Sequence, residues 1–373
     1  MSEPYDVIIV GGGYAGLCCG LKLKEKRVLL LEARKEIGRK HRGCQCGLYS
    51  FGENFDIEGD GIYFHKNNIR VPGAVMSRLS SLELVSGGHK ISASLKNPLP
   101  LVDEGNIKGA IENLCKEAGM DIITGEKVRS VETNGDKVSV YTDKKYDAKY
   151  LVGADGAHSR IIHYLPFERR RIGSFVELEV EAEHMNISGD GLYGEMKGIK
   201  VGLFAQPYGK GYMLGVYQGV CLKDKMIDLR GYLEESIKKL NVTGIRRSYG
   251  CNIPIHLSSA SSYHKNIIMT GDAVGALSMI TIAGAMMMGL LAGEAVLKRM
   301  EGDEGAFKEY DKKWRKILQQ GSIDGVRHLF FPLRRLNEKR MSRLFGAIGE
   351  ADLGFVGISY YLKRIPGIIR AFF

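Results

Sequence analysis

Apolar positions are unevenly spread along the 373 residues, and their period changes from segment to segment. Val7, Ile8, Ile9 and Val10 form an unbroken β-branched run, so Tyr5 to Val10 is predicted as a fully buried strand. The run stops at Gly11; Ala15 to Lys24 is then predicted as a helix, and Arg27 to Leu31 as a second strand ending in Glu32. Tyr150 to Val152 and Ile267 to Met269 are further short apolar runs, each leading into a Gly- and Asp-containing turn. Ile107 to Ala118 is amphipathic at helical period, and Lys127 to Thr142 is predicted as two strands joined through Asn134-Gly135. Alternation predicts antiparallel sheet in Phe175 to Glu183 and in the pair Lys200 to Gln206 and Tyr212 to Gln218, joined by Tyr208-Gly209-Lys210-Gly211. The chain beyond Asp303 is predicted as helical.

The first strand, loop and helix carry Val-Gly-Gly-Gly-Tyr-Ala-Gly from Val10 to Gly16. Gly11 permits a tight turn, Gly13 lets the backbone approach a pyrophosphate, and Gly16 lets helix and strand pack closely. A phosphate there meets unpaired N–H groups and the positive end of a helix dipole. Glu32, about 20 positions on at the end of the second strand, can accept from a ribose hydroxyl. These features point to a dinucleotide but do not separate NAD from FAD.

Two more phrases narrow the choice. Val-Gly-Ala-Asp-Gly at 152–156 and Thr-Gly-Asp at 270–272 each put an Asp just past a strand's carboxyl end, where ligands collect in open α/β sheets. The three phrases in this order resemble the flavoprotein group that contains the aromatic hydroxylases and the geranylgeranyl reductases. The resemblance implies a discontinuous Rossmann-type FAD-binding domain, aromatic-hydroxylase-like, with a mostly antiparallel β-sheet substrate domain and a helical carboxyl-terminal region. It assigns Asp155 and Gly156 to the pyrophosphate end and Gly271 and Asp272 to the ribityl chain. The helix after Asp272 would aim its amino end at the flavin ring.

The closer likeness is to the geranylgeranyl reductases. Glu32-Ala33-Arg34-Lys35-Glu36-Ile37-Gly38 is similar to their Glu-x-Arg-x-x-x-Gly segment, and Arg42-Gly43-Cys44-Gln45-Cys46-Gly47 to the Arg-Cys-Gly stretch by the flavin. Carried over, FAD is held by Gly11, Gly13, Ala15, Gly16, Glu32, Arg34, Arg42, Gly47, Val128 (beside the adenine), Asp155, Gly156, Gly271, Asp272, Gly284 and Ala285. Cys44 and Cys46 are the candidate catalytic pair, with flavin packing and metal binding as the competing roles; no second Cys or His pair matches them for a metal. The likeness has gaps. The family's Tyr-x-Trp-x-Phe-Pro motif is replaced by Leu203-Phe204-Ala205-Gln206-Pro207, and Ser278 to Ala285 keeps only a Thr and one Gly of the expected run.

The expected division is 1–52, 101–164 and 265–300 for FAD, 53–100 and 165–264 for substrate, and 301–373 for a basic helical region. The family reduces isolated double bonds of prenyl lipids, so the expectation is hydride transfer from reduced flavin to a prenyl lipid, with NAD(P)H or ferredoxin as electron donor. A monooxygenase of the aromatic-hydroxylase type and a non-catalytic prenyl carrier are the alternatives. Seven cysteines with no leader-like amino terminus point to a reducing, cytoplasmic setting. Net charge is +10, concentrated beyond Gly302 among aromatic residues such as Trp314 and Phe345. That pattern suits an anionic membrane surface at the inner face of the cell, and no nucleic-acid motif accompanies it. Ala273 to Gly293 lacks charge and reads as a buried helix rather than a membrane span.

Overall fold

The computed structural model describes residues 4–38, 47–48, 54–166, 171–187, 189–198, 200–221, 224–256, 260–274, 282–320 and 337–349. In chain order, β1 (Tyr5–Val10), α1 (Tyr14–Lys22) and β2 (Val28–Glu32) come first, followed by β3 (Phe55–Glu58), β4 (Gly61–Phe64) and β5 (Ile69–Val71). Two long strands, β6 (Val75–Ser86) and β7 (His89–Val102), lead to α2 (Glu104–Glu117). Next are β8 (Asp121–Thr124), β9 (Ser130–Asn134), β10 (Lys137–Tyr141) and β11 (Lys145–Gly153). The second half holds β12 (Arg171–His184), β13 (Leu192–Met196), β14 (Val201–Tyr208), β15 (Gly211–Cys221), α3 (Leu229–Lys239) and β16 (Thr243–His256). Short strands β17 (Tyr263–His264) and β18 (Ile267–Met269) precede α4 (Ile282–Met300), α5 (Ala306–Gln320) and α6 (Glu338–Ile348).

The first sheet runs β17-β18-β11-β1-β2-β8, with the β9–β10 hairpin attached to β11. Its centre is parallel: β1 pairs with β2 and β11, and β11 with β18. Val7, Ile8, Ile9, Leu151 and Val152 are wholly buried, as the continuous apolar runs require when helices cover a sheet. The second sheet runs β16-β12-β15-β14-β13-β6-β7 and is antiparallel except where β13 meets β6. A small β3-β4-β5 sheet adds Ile62, Phe64, Ile69 and Val71 to the nucleotide-side core.

Local chemistry sets the boundaries where they differ from the sequence expectation. α2 starts at Glu104 because the Asp103 carboxylate caps it, accepting from the Asn106 amide at 3.1 Å. α1 ends at Lys22, where Leu23 leaves helical geometry. β9 starts at Ser130, so Val128 lies in the irregular segment before it, still buried.

The charge-free run after Asp272 ends in α4, which crosses α1 at close range. A Cβ on Gly289 would lie 2.1 Å from the Ala15 carbonyl oxygen, and one on Gly293 3.0 Å from that of Cys19. No helix among the described residues is long and apolar enough to cross a membrane. The helix start expected directly after Asp272 falls in 275–281, outside the described residues; Gly271–Val274 form a 3-10 turn. Basic helix α5 is docked rather than free: Trp314 and Tyr310 are buried, Tyr310 donates to the Met269 carbonyl at 2.9 Å and Trp314 Nε1 to Ser262 Oγ at 3.1 Å. α6 rests Met341 and Phe345 on Ile91 of β7. The apolar and basic tail, 350–373, lies outside the described residues.

Candidate functional site

The parallel strands bring the three glycine phrases to one sheet edge. Gly11 has φ +109°, and a Cβ there would lie 2.3 Å from the Ala154 carbonyl oxygen. A Cβ on Gly16 would fall 2.0 Å from the Gly11 carbonyl, and one on Gly271 would fall 2.9 Å from Ala15 Cβ. The loop therefore meets the Asp155 turn backbone to backbone, and the Asp272 turn packs on the Ala15 side chain of α1. Gly13 differs, since nothing lies within 4 Å of its Cβ position. It also starts α1 without a side-chain cap, which leaves the helix's first N–H groups to a ligand.

Glu32 closes the other side of this cradle. Its Oε2 accepts from the Gly12 amide at 2.8 Å and its Oε1 from the Arg34 amide at 3.0 Å. Each carboxylate oxygen can accept more than one bond, so the pair of amides orients the group and leaves capacity for a hydroxyl. The Glu126 amide donates to the Glu32 carbonyl at 3.0 Å, which lays the segment before Val128 against the same strand end. Only the amide of Arg34 takes part; its side chain is exposed. Gly47 bridges to Leu101, at the junction of the two sheets. Gly284 and Ala285 occupy the first turn of α4, Gly284 buried. Arg42, Cys44 and Cys46 lie outside the described residues. Cys18, Cys19 and Cys115 are buried core residues, and burial pushes the Cys115 thiol up to about 12.

Asp155 reaches along its own turn. Its Oδ2 accepts from the Arg160 amide at 2.6 Å and the Ile161 amide at 3.2 Å, while Oδ1 is buried without a hydrogen-bond partner. Burial holds this carboxyl above the usual range despite those bonds. Because the folded-state value is raised, the stability it contributes is present below the ordinary carboxylate value and is lost as pH rises through the raised value. Asp155→Asn is therefore expected to stabilise the cofactor-free protein near neutral pH. The advantage should narrow as the medium is acidified; denaturant unfolding at several pH values would read it. An advantage constant across pH would contradict this account.

The second sheet contributes a group that the alternation of β12 concealed. Val176, Leu178, Val180 and Ala182 face the α3 side, so Phe175, Glu177, Glu179 and Glu181 occupy the opposite face. That polar face is not solvated, for Glu177 is 2% and Glu179 0% exposed. Tyr208 of the same face donates to the Val102 carbonyl at the end of β7, at 3.3 Å. Register aligns Glu177 with Tyr217 on β15 and Cys251 on β16, and Cys251 Sγ lies 3.9 Å from Glu177 Oε2. Burial first, then the neighbouring Glu177 charge, pushes both Tyr217 and Cys251 up to about 12, with Glu179 adding to the shift at Cys251. Both stay protonated near neutral pH. Tyr217 and Cys251 thus keep their protons beside the buried Glu177 side chain.

The residues fit FAD: an uncapped helix start, an open Gly13, an oriented Glu32 and a glycine turn packed on the Asp155 segment. The family described as pyridine nucleotide-disulphide oxidoreductase matches residues 5–178. An uncharacterized protein of Methanocaldococcus jannaschii is 24% identical, over 94% of this chain and 90% of its own. Among solved structures, a geranylgeranyl bacteriochlorophyll reductase-like protein of Thermoplasma acidophilum has TM-score 0.77 at 18% identity, covering 99% of this chain and 98% of that one. The flavin-dependent monooxygenase PieE, solved with FAD and substrate, has TM-score 0.66 at 16% identity, covering 99% and 72%. At these identities the structures show the fold. The expected Rossmann-type FAD-binding α/β fold is borne out, and the matches support FAD as the cofactor and an FAD-dependent oxidoreductase as the class.

Proposed function

We propose that this chain is an FAD-dependent reductase that saturates isolated double bonds of a prenyl lipid. Such a reaction adds a hydride to one alkene carbon and a proton to the other, and bound reduced flavin supplies the hydride. The chain's own tasks are to hold the dinucleotide, to exclude water and to deliver the proton. The observation that carries the reading is the row Tyr217–Glu177–Cys251 on one face of the second sheet, with its glutamate buried. Cys251 and Tyr217 are protonated near neutral pH and are the candidate donors, with Glu177 beside them to return the proton. Likeness over nearly the whole chain to a geranylgeranyl reductase-like structure supports the substrate class. Likeness to PieE supports a second reading, a monooxygenase. Cys44 and Cys46 remain candidates for the flavin side.

Mixing dithionite-reduced holoprotein anaerobically with a geranylgeranyl lipid tests it. The expected result is alkene-dependent flavin reoxidation, with a gain of H2 per double bond in the lipid's mass. A product that forms only with oxygen would replace this reading with the monooxygenase. Glu177→Gln is expected to slow the reoxidation by about 10²-fold or more with flavin content unchanged. An unaffected rate would remove the row from the reaction.

A further inference from the structure

Phe307, Tyr310, Asp311 and Trp314 recur at helical spacing along α5, and that stripe is turned inward. Phe307, Tyr310 and Trp314 are buried, while Lys308, Lys312, Lys313 and Lys316 are exposed. The stripe meets the β17–β18 pair, whose second strand runs directly into Thr270-Gly271-Asp272.

Three side chains of α5 close on that pair at Ser262 and Met269. Tyr310 donates to the Met269 carbonyl at 2.9 Å. Asp311 Oδ1 accepts from the Ser262 amide at 2.9 Å and from its hydroxyl at 2.7 Å, and Trp314 Nε1 donates to the same hydroxyl at 3.1 Å. The Met269 amide donates to the Ser262 carbonyl at 2.7 Å, so both polar groups of the Met269 backbone are engaged. Burial holds the Tyr310 phenol above its ordinary range, which keeps it a donor. Ser262, Met269 and Thr270 are themselves fully buried, so a bond removed here leaves a dry carbonyl or hydroxyl behind.

The turn that follows is pinned on its other sides. The Thr270 amide donates to the Gly153 carbonyl of β11 at 2.9 Å. Gly271 has φ +61°, and its Cβ position is 2.9 Å from Ala15 Cβ in the first turn of α1. The turn thus lies against the uncapped helix start that receives the dinucleotide. The direction in which the chain leaves β18 is set one residue earlier, at the Met269 carbonyl that Tyr310 holds.

We infer that Tyr310 is a positioning residue for FAD, and that α5 is the clasp that fixes the Thr270-Gly271-Asp272 turn against α1. The basic helix therefore serves the cofactor through its buried face, without touching it. The inference rests on FAD as the cofactor and is independent of prenyl reduction.

The test is the rate at which holoprotein releases FAD on dilution, read by flavin fluorescence, together with the midpoint potential of the bound flavin. Tyr310→Phe keeps the ring and removes the bond to Met269. It is expected to release FAD about five-fold faster, the factor that corresponds to one lost hydrogen bond, and to shift the potential to more negative values. Trp314→Phe removes only the bond to Ser262 and should act in the same direction by a smaller factor; it decides the question if Tyr310→Phe does not fold. Phe307→Leu is the control, because Phe307 packs only edge-on against the rings of Tyr150 and Tyr263. It should lower the unfolding midpoint and leave FAD release and potential as in wild type. Unchanged release and potential in Tyr310→Phe, or equal changes in Phe307→Leu, overturn the inference. Wild type that holds no FAD overturns it together with the FAD assignment.

Discussion

Gly11→Ala is expected to give a protein that is destabilised by about 3 kcal/mol or more and that purifies without flavin. Two independent penalties act at this position. The backbone sits at φ +109°, a conformation side chains rarely adopt. The added methyl would also stand 2.3 Å from the Ala154 carbonyl oxygen and 2.7 Å from its carbon, and these are backbone atoms that no rotamer change can move aside. Relief requires separating the end of β1 from the end of β11, the contact that brings the Gly11 loop and the Asp155 turn together. Gly13→Ala is the matched control. Its Cβ position is open and φ is −79°, so the fold should tolerate the change within about 1 kcal/mol. Flavin retention should nevertheless fall, because the methyl would occupy the approach to the helix amino end. Urea denaturation and flavin absorbance separate the two effects. Equal flavin content in Gly13→Ala and wild type would argue against a pyrophosphate at this loop.

Lys108→Met should cost about 3–5 kcal/mol, the loss expected when one partner of a buried ion pair is removed. Lys108 Nζ lies 2.6 Å from Glu104 Oε2, and the two side chains are 9% and 8% exposed. The ammonium also stands 4.7 Å from the Tyr14 ring centre, and Tyr14 donates to the Glu104 carbonyl at 3.4 Å. Removing the cation leaves the Glu104 carboxylate in a dry setting without its ion-pair partner. The double variant Glu104→Gln, Lys108→Met should recover much of the loss, since no charge is then stranded. Urea denaturation of the single and double variants measures the coupling. A single variant as stable as wild type would mean that this pair is solvated in solution.

The nucleotide cradle was legible from the chain because its parts are local. Gly11, Gly13, Gly16 and Glu32 fall within one strand–helix–strand unit, and their backbone demands can be read from residue type. The Asp155 and Asp272 turns each follow a short apolar strand, so the sheet edge could be inferred before the pairing was known. The proton-holding row was hidden for the opposite reason. Glu177, Tyr217 and Cys251 lie on three strands and meet only through register. Their alternation with Val176, Leu178 and Val180 is also what a solvent-facing strand would show. The signal available was weak: three glutamates at every second position of one strand, at 177, 179 and 181.

What residue order alone established is the class of fold and the nucleotide loop, since period, glycine placement and strand-end acids act over a few neighbours. Long-range packing settled the rest. Whether a polar strand face meets water or another layer depends on what covers it, and no spacing rule encodes that. The same holds for Tyr310, which meets the Met269 carbonyl only when helix and sheet come together. Desolvation is a property of that assembly, and it is what turns ordinary Tyr and Cys side chains into groups that keep their protons.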